Sequence, residues 1–290
     1  MVSRRGLQLA CLLVYSSVAA SEIPNFEQIP FSKLDFKAKK LMLTATASLE
    51  VSTVPQDEAQ AVMVPFEGAF EPAEETLRLD VRSGFLGRDS LSQVWLLSSE
   101  ARALQRIQLE TGKRRRKKIY RFAPNEVLAR RITPTDDQPK EQEPERWKNR
   151  WDERVPAMTQ NVVIEPSALF LLVTSTPDSW LDEPRVVHTF SDNELHRVRI
   201  TRQDTVELRT RFEDRQGDQG PRTVEGRRLA VLYKLEPLPR TDGSEGKMQL
   251  LGLEGAIELF VDAETRLPLQ ISGRIPPVGQ VQIRLQSAVR

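Results

Sequence analysis

The sequence predicts a mainly β protein (α+β) in which one long, curved antiparallel sheet, or an open barrel, surrounds one buried helix. Three observations lead to this prediction. Apolar and polar residues alternate with a period of two along much of the chain, turn signals separate the alternating segments, and one short segment is apolar on all sides. Such alternation is typical of antiparallel sheets with one buried and one solvated face.

The alternation is clearest in LMLTATASLEVST, residues 41–53, where apolar side chains occupy every second position from Leu41 to Val51. The same pattern predicts strands over residues 76–82, 93–97, 104–109, 185–190, 195–202, 205–212, 228–235, 257–261, 268–271 and 281–286. SGFLGRDS (83–90) and FSDNEL (190–195) carry the glycine and Asp-Asn signals of hairpin turns.

One helix is predicted, in the segment that begins EPSALFLLV. Glu165, Pro166 and Ser167 precede an apolar run from Ala168 to Val173. Proline is favoured in the first turn of a helix, and a run that is apolar on every side predicts a buried helix.

The first twenty residues predict export. Arg4 and Arg5 precede the mostly apolar segment 7–20, which ends in small residues at Ala20. This is the layout of a secretory signal peptide, and the run is shorter than the roughly 20 apolar residues that span a bilayer. We therefore expect a periplasmic protein cleaved near Ala20. Residues 21–290 would form a single β-rich domain with an exposed acidic loop at about 134–147, and no transmembrane span.

The net charge and the cysteine content argue against two classes of function, nucleic-acid binding and thiol chemistry. Of the 42 lysines and arginines two lie in the predicted signal peptide, which leaves 40 against 41 acidic residues and a net charge of −1. A nucleic-acid-binding domain usually has a basic excess, so nucleic acid is not an expected partner. The only cysteine, Cys11, lies in the signal peptide, so neither disulfides nor thiolate chemistry are expected in the mature chain.

The most unusual segment is GKRRRKKIYRF, residues 112–122, in which seven of eleven residues are Lys or Arg. As a strand it would alternate its basic side chains between the two faces and end in the core through Ile119, Tyr120 and Phe122. Two interpretations are open: a charged strand that discourages edge pairing, or a contact site for anionic lipid or lipopolysaccharide. The acidic loop from Asp136 to Glu145 could neutralise it. The candidate contact residues are Lys113, Arg114, Arg115, Arg116, Lys117 and Lys118.

The sequence offers few candidate residues for catalysis or metal binding. The mature chain has two histidines, His188 and His196, on either side of the turn centred on Asp192 and Asn193. That turn places His188 opposite Arg197, so the imidazoles lie on opposite faces and only a one-residue bulge would let them share a metal. No nucleophile elbow or phosphate loop occurs. We therefore predict no catalytic, cofactor-binding or metal-ligating residue.

A pair of tryptophans leaves two alternatives. In ERWKNRWDER, residues 145–154, Trp147 and Trp151 are four positions apart. On a helix they would share a face and form a small interfacial anchor. Alternatively, the two aromatic side chains cover the edge of the sheet after the acidic loop.

A family resemblance rests on three segments. RSGFLGRDSLSQVWLLSSEARALQRIQLETGKRRRKKIYRF (82–122) resembles uncharacterised exported proteins of Gram-negative bacteria. EPSALF and LFVDAETRLPLQISGRIPPVGQVQIRL (259–285) are similar to the domain-of-unknown-function 3108 group. This resemblance implies a fold like that of periplasmic lipoprotein carriers, in which a curved sheet and helices hold acyl chains. It implies no catalytic residues.

Three functions follow as hypotheses. The first is non-enzymatic binding of a hydrophobic or anionic envelope molecule, with lipid as the expected partner. The second is a structural or protein-interaction module of the cell envelope, and the third is a hydrolase without a recognisable motif. A pocket lined by Leu and Phe would favour the first, a filled core with a flat patch the second, and converging carboxylates the third.

Overall fold

The computed structural model describes residues 26, 28–40, 43–73, 75–85, 88–112, 115–136, 138, 143–157, 162–240, 243–246, 248–276 and 278–290. The predicted signal peptide, residues 1–20, lies outside the described residues. So do Lys113 and Arg114 of the basic segment and part of the acidic loop.

The chain is mainly β, as the alternation predicts. The first half contains β1 (Lys33–Lys40), β2 (Leu43–Val54), α1 (Gln56–Val62), β3 (Thr76–Phe85), β4 (Arg88–Leu97), β5 (Arg102–Gly112), β6 (Arg116–Phe122), β7 (Glu126–Thr133) and β8 (Asn149–Pro156). The second half contains β9 (Val163–Ile164), α2 (Leu169–Ser175), β10 (Arg185–Ser191), β11 (Glu194–Arg215), β12 (Arg222–Pro237), β13 (Gln249–Leu250), β14 (Leu253–Asp262), β15 (Pro268–Ile275) and β16 (Gly279–Val289).

All described strands belong to one sheet. Its order is β8-β7-β6-β5-β4-β3-β2-β1-β16-β15-β14-β12-β11-β10-β9, with β13 paired to β14. The first eight strands form an antiparallel meander, and β9–β10 and β11–β16 are parallel pairs. The pairing of β11 with β16 closes β11, β12, β14, β15 and β16 into a ring, from which the meander continues through β1.

The curved sheet surrounds α2, and the buried helix predicted from the EPSALFLLV segment is confirmed. Every side chain from Leu169 to Val173 is fully buried. Across the core, the rings of Tyr120 and Phe122 pack edge-to-face on Phe190, with centroids 5.5 and 5.9 Å apart. The meander therefore curls until β6 faces the β10–β11 hairpin. Neither helix of the described residues has the length and apolar character needed to cross a bilayer.

Two local features differ from the prediction. Helix α1 was not predicted, because its few apolar residues are too sparse to show a helical period. It packs on the convex face of the sheet, where Ala59 contributes to a small second core with Trp95 and Leu104. The two strands predicted over 195–202 and 205–212 form one continuous strand, β11. A register shift between Arg202 and Thr205 accommodates the polar residues between them.

The C-terminal end of α2 is held by one side chain from the β14–β15 turn. Nη2 of Arg266 donates hydrogen bonds to the carbonyl oxygens of Val173 (2.7 Å) and Thr176 (3.0 Å). Nη1 contacts the hydroxyl of Tyr233 at 3.2 Å and the carboxylate of Asp178. The last carbonyls of a helix lack partners within it, so Arg266 supplies the donors that this buried end requires.

Candidate functional site

The concave face of the sheet changes from apolar to polar between β3 and β6. On β2 and β3 its inward positions carry residues such as Leu49 and Val81, both buried. On β4, β5 and β6 the corresponding positions are polar or charged. Cross-strand pairing aligns these side chains in two rows, Ser90–Glu110–Arg116 and Ser92–Gln108–Lys118. Polar residues at inward positions of three adjacent strands mark this part of the face as a candidate site.

A cavity of about 390 Å³ lies against these rows, and we call it the concave cleft. Its polar side includes Ser92, Arg106, Arg116 and Glu165 from β4, β5, β6 and the turn before α2. Its apolar lining comprises Ala45, Val81, Phe85, Leu251, Ile275 and Ile283. The cleft therefore offers a charged end and an apolar surface to one bound molecule.

The most deeply buried charges in the cleft are Arg106 and Glu165. Nη1 of Arg106 lies 3.1 Å from Oε1 of Glu165, and their side chains are 12% and 1% exposed. The other carboxylate oxygen of Glu165 accepts a hydrogen bond of 2.6 Å from the backbone nitrogen of Ser167. The carboxylate thus caps the turn that leads into α2 and fixes the guanidinium of Arg106. This ion pair therefore connects the turn before α2 to strand β5.

Two further ion pairs extend this network towards solvent. Nη2 of Arg116 donates to Oε1 of Glu110 at 2.5 Å, and Nζ of Lys118 donates to Oδ1 of Asp192 at 2.9 Å. Burial on its own would raise the pKa of the Asp192 carboxyl. The hydrogen bond from Lys118 and the positive charges of Arg106 and Arg116 outweigh that effect and lower the pKa. Asp192 therefore stays ionised, and its contact with Lys118 joins the β10–β11 turn to β6.

Three polar atoms in the wall of the cleft are buried and have no hydrogen-bond partner among the described residues. They are Oγ of Ser92, Nε of Arg106 and Nε of Arg116. Ser92 as a whole is 6% exposed. A buried donor without an acceptor costs free energy, typically about 1–3 kcal/mol. Such atoms are therefore uncommon in structural cores and more frequent where a ligand supplies the missing partner.

The basic segment is divided between the two faces of β6. Arg116 and Lys118 lie on the concave face, where Arg116 lines the cleft, whereas Lys117 lies on the convex side, 3.6 Å from Glu145 of the acidic loop. Ile119, Tyr120 and Phe122 are buried, as predicted, and the rings of Tyr120 and Phe122 belong to the main core. Arg115 also has an interaction partner. Contact of this segment with an anionic surface stays a prediction. Arg115, Arg116, Lys117 and Lys118 each already interact with another part of this chain.

The predicted histidine register is confirmed. His188 pairs with Arg197, Thr189 with His196, and Asp192 and Asn193 form the turn with positive φ angles of 50° and 63°. Burial, with the nearby charge of Arg197, lowers the pKa of His188. The described residues contain no group of three or more His, Cys, Asp or Glu side chains that could hold a metal ion.

The two tryptophans do not share a helical face, so the helical interpretation is wrong. Trp147 follows a short 3₁₀ turn and is 7% exposed. Trp151 lies on β8, the outer strand of the sheet, where it pairs with Arg131 of β7 and is 49% exposed. The aromatic pair is thus split between a buried position after the acidic loop and an exposed position on the edge strand.

The sequence did not single out Ser92, Arg106 or Glu165. One signal was present: polar and apolar residues alternate along SLS (90–92) and RIQLE (106–110), but only the pairing register shows that the polar ones share a face. Comparison with known proteins adds no family assignment, because searches of family models, curated proteins and solved structures found no match.

Proposed function

We propose that this chain is a non-enzymatic binding protein whose concave cleft holds an amphipathic small molecule. The observation that carries the proposal is the juxtaposition, around one cavity, of an apolar wall and a cluster of buried charged side chains. A molecule with an apolar body and a polar end would contact both.

The dimensions and the lining support this proposal. A cavity of about 390 Å³ falls within the range of roughly 300–1,000 Å³ that is typical of small-molecule sites. Phe85, Ile275 and Ile283 would contact an alkyl chain, and burial of each methylene contributes about 0.8 kcal/mol. At the other end, the ion pairs Arg106–Glu165 and Arg116–Glu110 hold the charged side chains in fixed positions.

The carboxylates of the cleft fit a binding role better than a catalytic one. Five carboxylates line the cavity, as the hydrolase hypothesis requires: Asp89, Glu110, Glu165, Asp192 and Glu254. However, Glu110, Glu165 and Asp192 each form an ion pair, with Arg116, Arg106 and Lys118 respectively, and Asp89 and Glu254 are exposed. A general base needs an oxygen within reach of the substrate proton and a pKa near the working pH. Lys118 and the nearby arginines outweigh burial and lower the pKa of Asp192, and arginine nitrogens contact Oε1 of Glu110 and of Glu165.

We also infer that the protein is exported to the periplasm and that its ligand is a hydrophobic or anionic envelope molecule. The first inference rests on residues 1–20, and the second on the lining of the cleft and on the resemblance to the domain-of-unknown-function 3108 group. A curved sheet around a buried helix is consistent with the carrier-like fold that this resemblance implies.

A second candidate function is a protein-interaction module that uses β8. All residues of this outer strand are exposed or partly exposed, and Trp151 is the largest apolar side chain on it. An exposed edge strand can accept a strand from a partner. Arg150 and Asp152 pair with each other on the same edge, and such charges discourage strand addition, which places this function second.

The test is a variant that fills the cleft. Ser90 faces the cavity from β4, and an indole at this position would occupy the space next to Glu110. We expect Ser90→Trp to weaken binding of decanol and decanoate, measured by isothermal titration calorimetry, by about tenfold or more. The control Ser52→Trp places the same side chain on β2 at an exposed position and should bind like the unmodified chain. Equal binding by both variants, or binding of neither probe to the unmodified chain, would refute the proposal.

A further inference from the structure

We infer that the polar end of the bound molecule is an oxyanion, a carboxylate or a phosphate, received by Ser92, Arg106 and Arg116. This inference rests on the proposed function and specifies the chemistry of the ligand. Its starting point is that three of the buried polar atoms without a partner lie in the wall of the same cavity.

All three atoms can donate a hydrogen bond, and the two Nε atoms can only donate. A serine hydroxyl and a guanidinium Nε therefore need an acceptor, which excludes an ammonium group as the molecule that completes this cluster. An ionised oxygen forms the strongest hydrogen bonds with guanidinium donors. An alcohol or an ester carbonyl would satisfy fewer donors, because it presents a single neutral oxygen.

The carboxylates already present explain why these donors need a ligand. Glu165 engages Nη1 of Arg106, and Glu110 engages Nη2 of Arg116, so each carboxylate contacts the tip of its guanidinium and leaves Nε without an acceptor. Gln108 accepts from Nη2 of Arg106 at 2.8 Å, which further fixes that side chain. The arrangement holds both Nε atoms in place without satisfying them.

Position along the strands supports the same assignment. Ser92 pairs with Gln108 on β5, and Arg106 and Gln108 are successive inward residues on that strand. Ser92 and Arg106 therefore lie on adjacent strands of one face. The apolar residues Val81 and Phe85 line the same cleft from β3. If the oxyanion of the ligand lies at Ser92, the alkyl chain of the same ligand can contact Val81 and Phe85.

Four probes with the same decyl chain test this inference by calorimetry: decanoate, decyl phosphate, decanol and decyltrimethylammonium. Inorganic phosphate alone is the fifth probe. We expect decanoate or decyl phosphate to bind about tenfold or more tightly than decanol, and the ammonium probe to bind least. Preference between the two anions distinguishes a fatty acid from a phosphorylated headgroup. Binding of inorganic phosphate that depends on Ser92 would support the oxyanion site and identify a free anion as its ligand.

The decisive variant is Ser92→Ala, which removes one donor without leaving another group unpartnered. We expect it to weaken binding of the preferred anion by roughly five- to tenfold and to weaken decanol binding by about twofold or less, because a neutral oxygen forms the weaker hydrogen bond. The control is Ser175→Ala at the end of α2, where a buried serine hydroxyl also lacks a partner but does not line the cleft. A second variant, Glu110→Gln with Arg116→Gln, preserves net charge and should also reduce anion binding selectively.

The outcomes separate this inference from the proposed function. If decanol and both anions bind equally, and Ser92→Ala changes none of them, the cleft binds apolar molecules but has no oxyanion site. If no probe binds, both the inference and the proposed function are refuted. If Ser175→Ala weakens anion binding as much as Ser92→Ala does, the effect is not specific to the cleft, and the assignment of these residues is wrong.

Discussion

Replacing Arg106 by methionine is expected to lower the free energy of unfolding by about 3–5 kcal/mol. The cause is that the carboxyl group of Glu165, whose side chain is 1% exposed, would lose the guanidinium 3.1 Å away and stay buried without its countercharge. Methionine retains most of the volume and apolar contacts of the arginine stem. Urea denaturation followed by circular dichroism measures the difference.

Two further variants decide whether the unpaired charge is the cause. The double variant Arg106→Met with Glu165→Gln should recover most of the lost stability, since glutamine can still accept the hydrogen bond from the backbone of Ser167. Arg154→Met breaks an ion pair near the surface, in which the side chains of Arg154 and Glu126 are 61% and 32% exposed. It should lower the free energy of unfolding by less than about 1 kcal/mol. A loss below about 1 kcal/mol for Arg106→Met would contradict the importance of this pair.

Replacing Arg266 by alanine is expected to destabilise the fold by about 3 kcal/mol or more. The variant removes the donors to the carbonyl oxygens of Val173 and Thr176 and leaves these backbone groups without a charged partner at the end of the buried helix. It also breaks the contacts with Asp178 and Tyr233. The unfolding free energy and amide hydrogen exchange across Leu169–Ser175 measure both effects.

Lysine at position 266 shows whether the positive charge alone is sufficient or the planar guanidinium group is required. Arg266→Lys keeps the positive charge but replaces a planar group by a single ammonium, so we expect an intermediate loss of stability. The control Arg227→Ala removes an exposed arginine, 77% accessible and paired with Glu207, and should change stability by less than about 1 kcal/mol. If Arg266→Ala is as stable as Arg227→Ala, the hydrogen bonds from Arg266 do not stabilise the end of α2.

Much of the fold could be predicted because period-two alternation and an all-apolar run depend only on local residues. The histidine register followed in the same way, since the Asp192-Asn193 turn fixes which residues lie opposite each other. The closure of the ring by β11 and β16 could not be predicted. It depends on the accumulated twist and curvature of many strands, and the residues themselves carry no signal for it.

The site was less predictable for a related reason. The segment 112–122 drew attention through its charge, yet two of its basic side chains, Arg116 and Lys118, lie on the concave face and pair with Glu110 and Asp192. Glu165 reaches Arg106 only because the meander curls over α2. Asp192 reaches Lys118 for the same reason. Long-range ion pairs of this kind require the tertiary structure, so the sequence alone could not show that Arg116 and Lys118 of the basic run lie on the concave face.

Native mass spectrometry of the protein purified from producing cells tests whether the concave cleft binds a small amphipathic molecule. We expect one bound molecule per chain, released by solvent extraction as a lipid or fatty acid, or acquired when the ligand-free protein is exposed to lipid vesicles. The Ser90→Trp variant should carry none. A ligand-free mass before and after exposure to vesicles, or the same bound molecule in Ser90→Trp, would contradict the account.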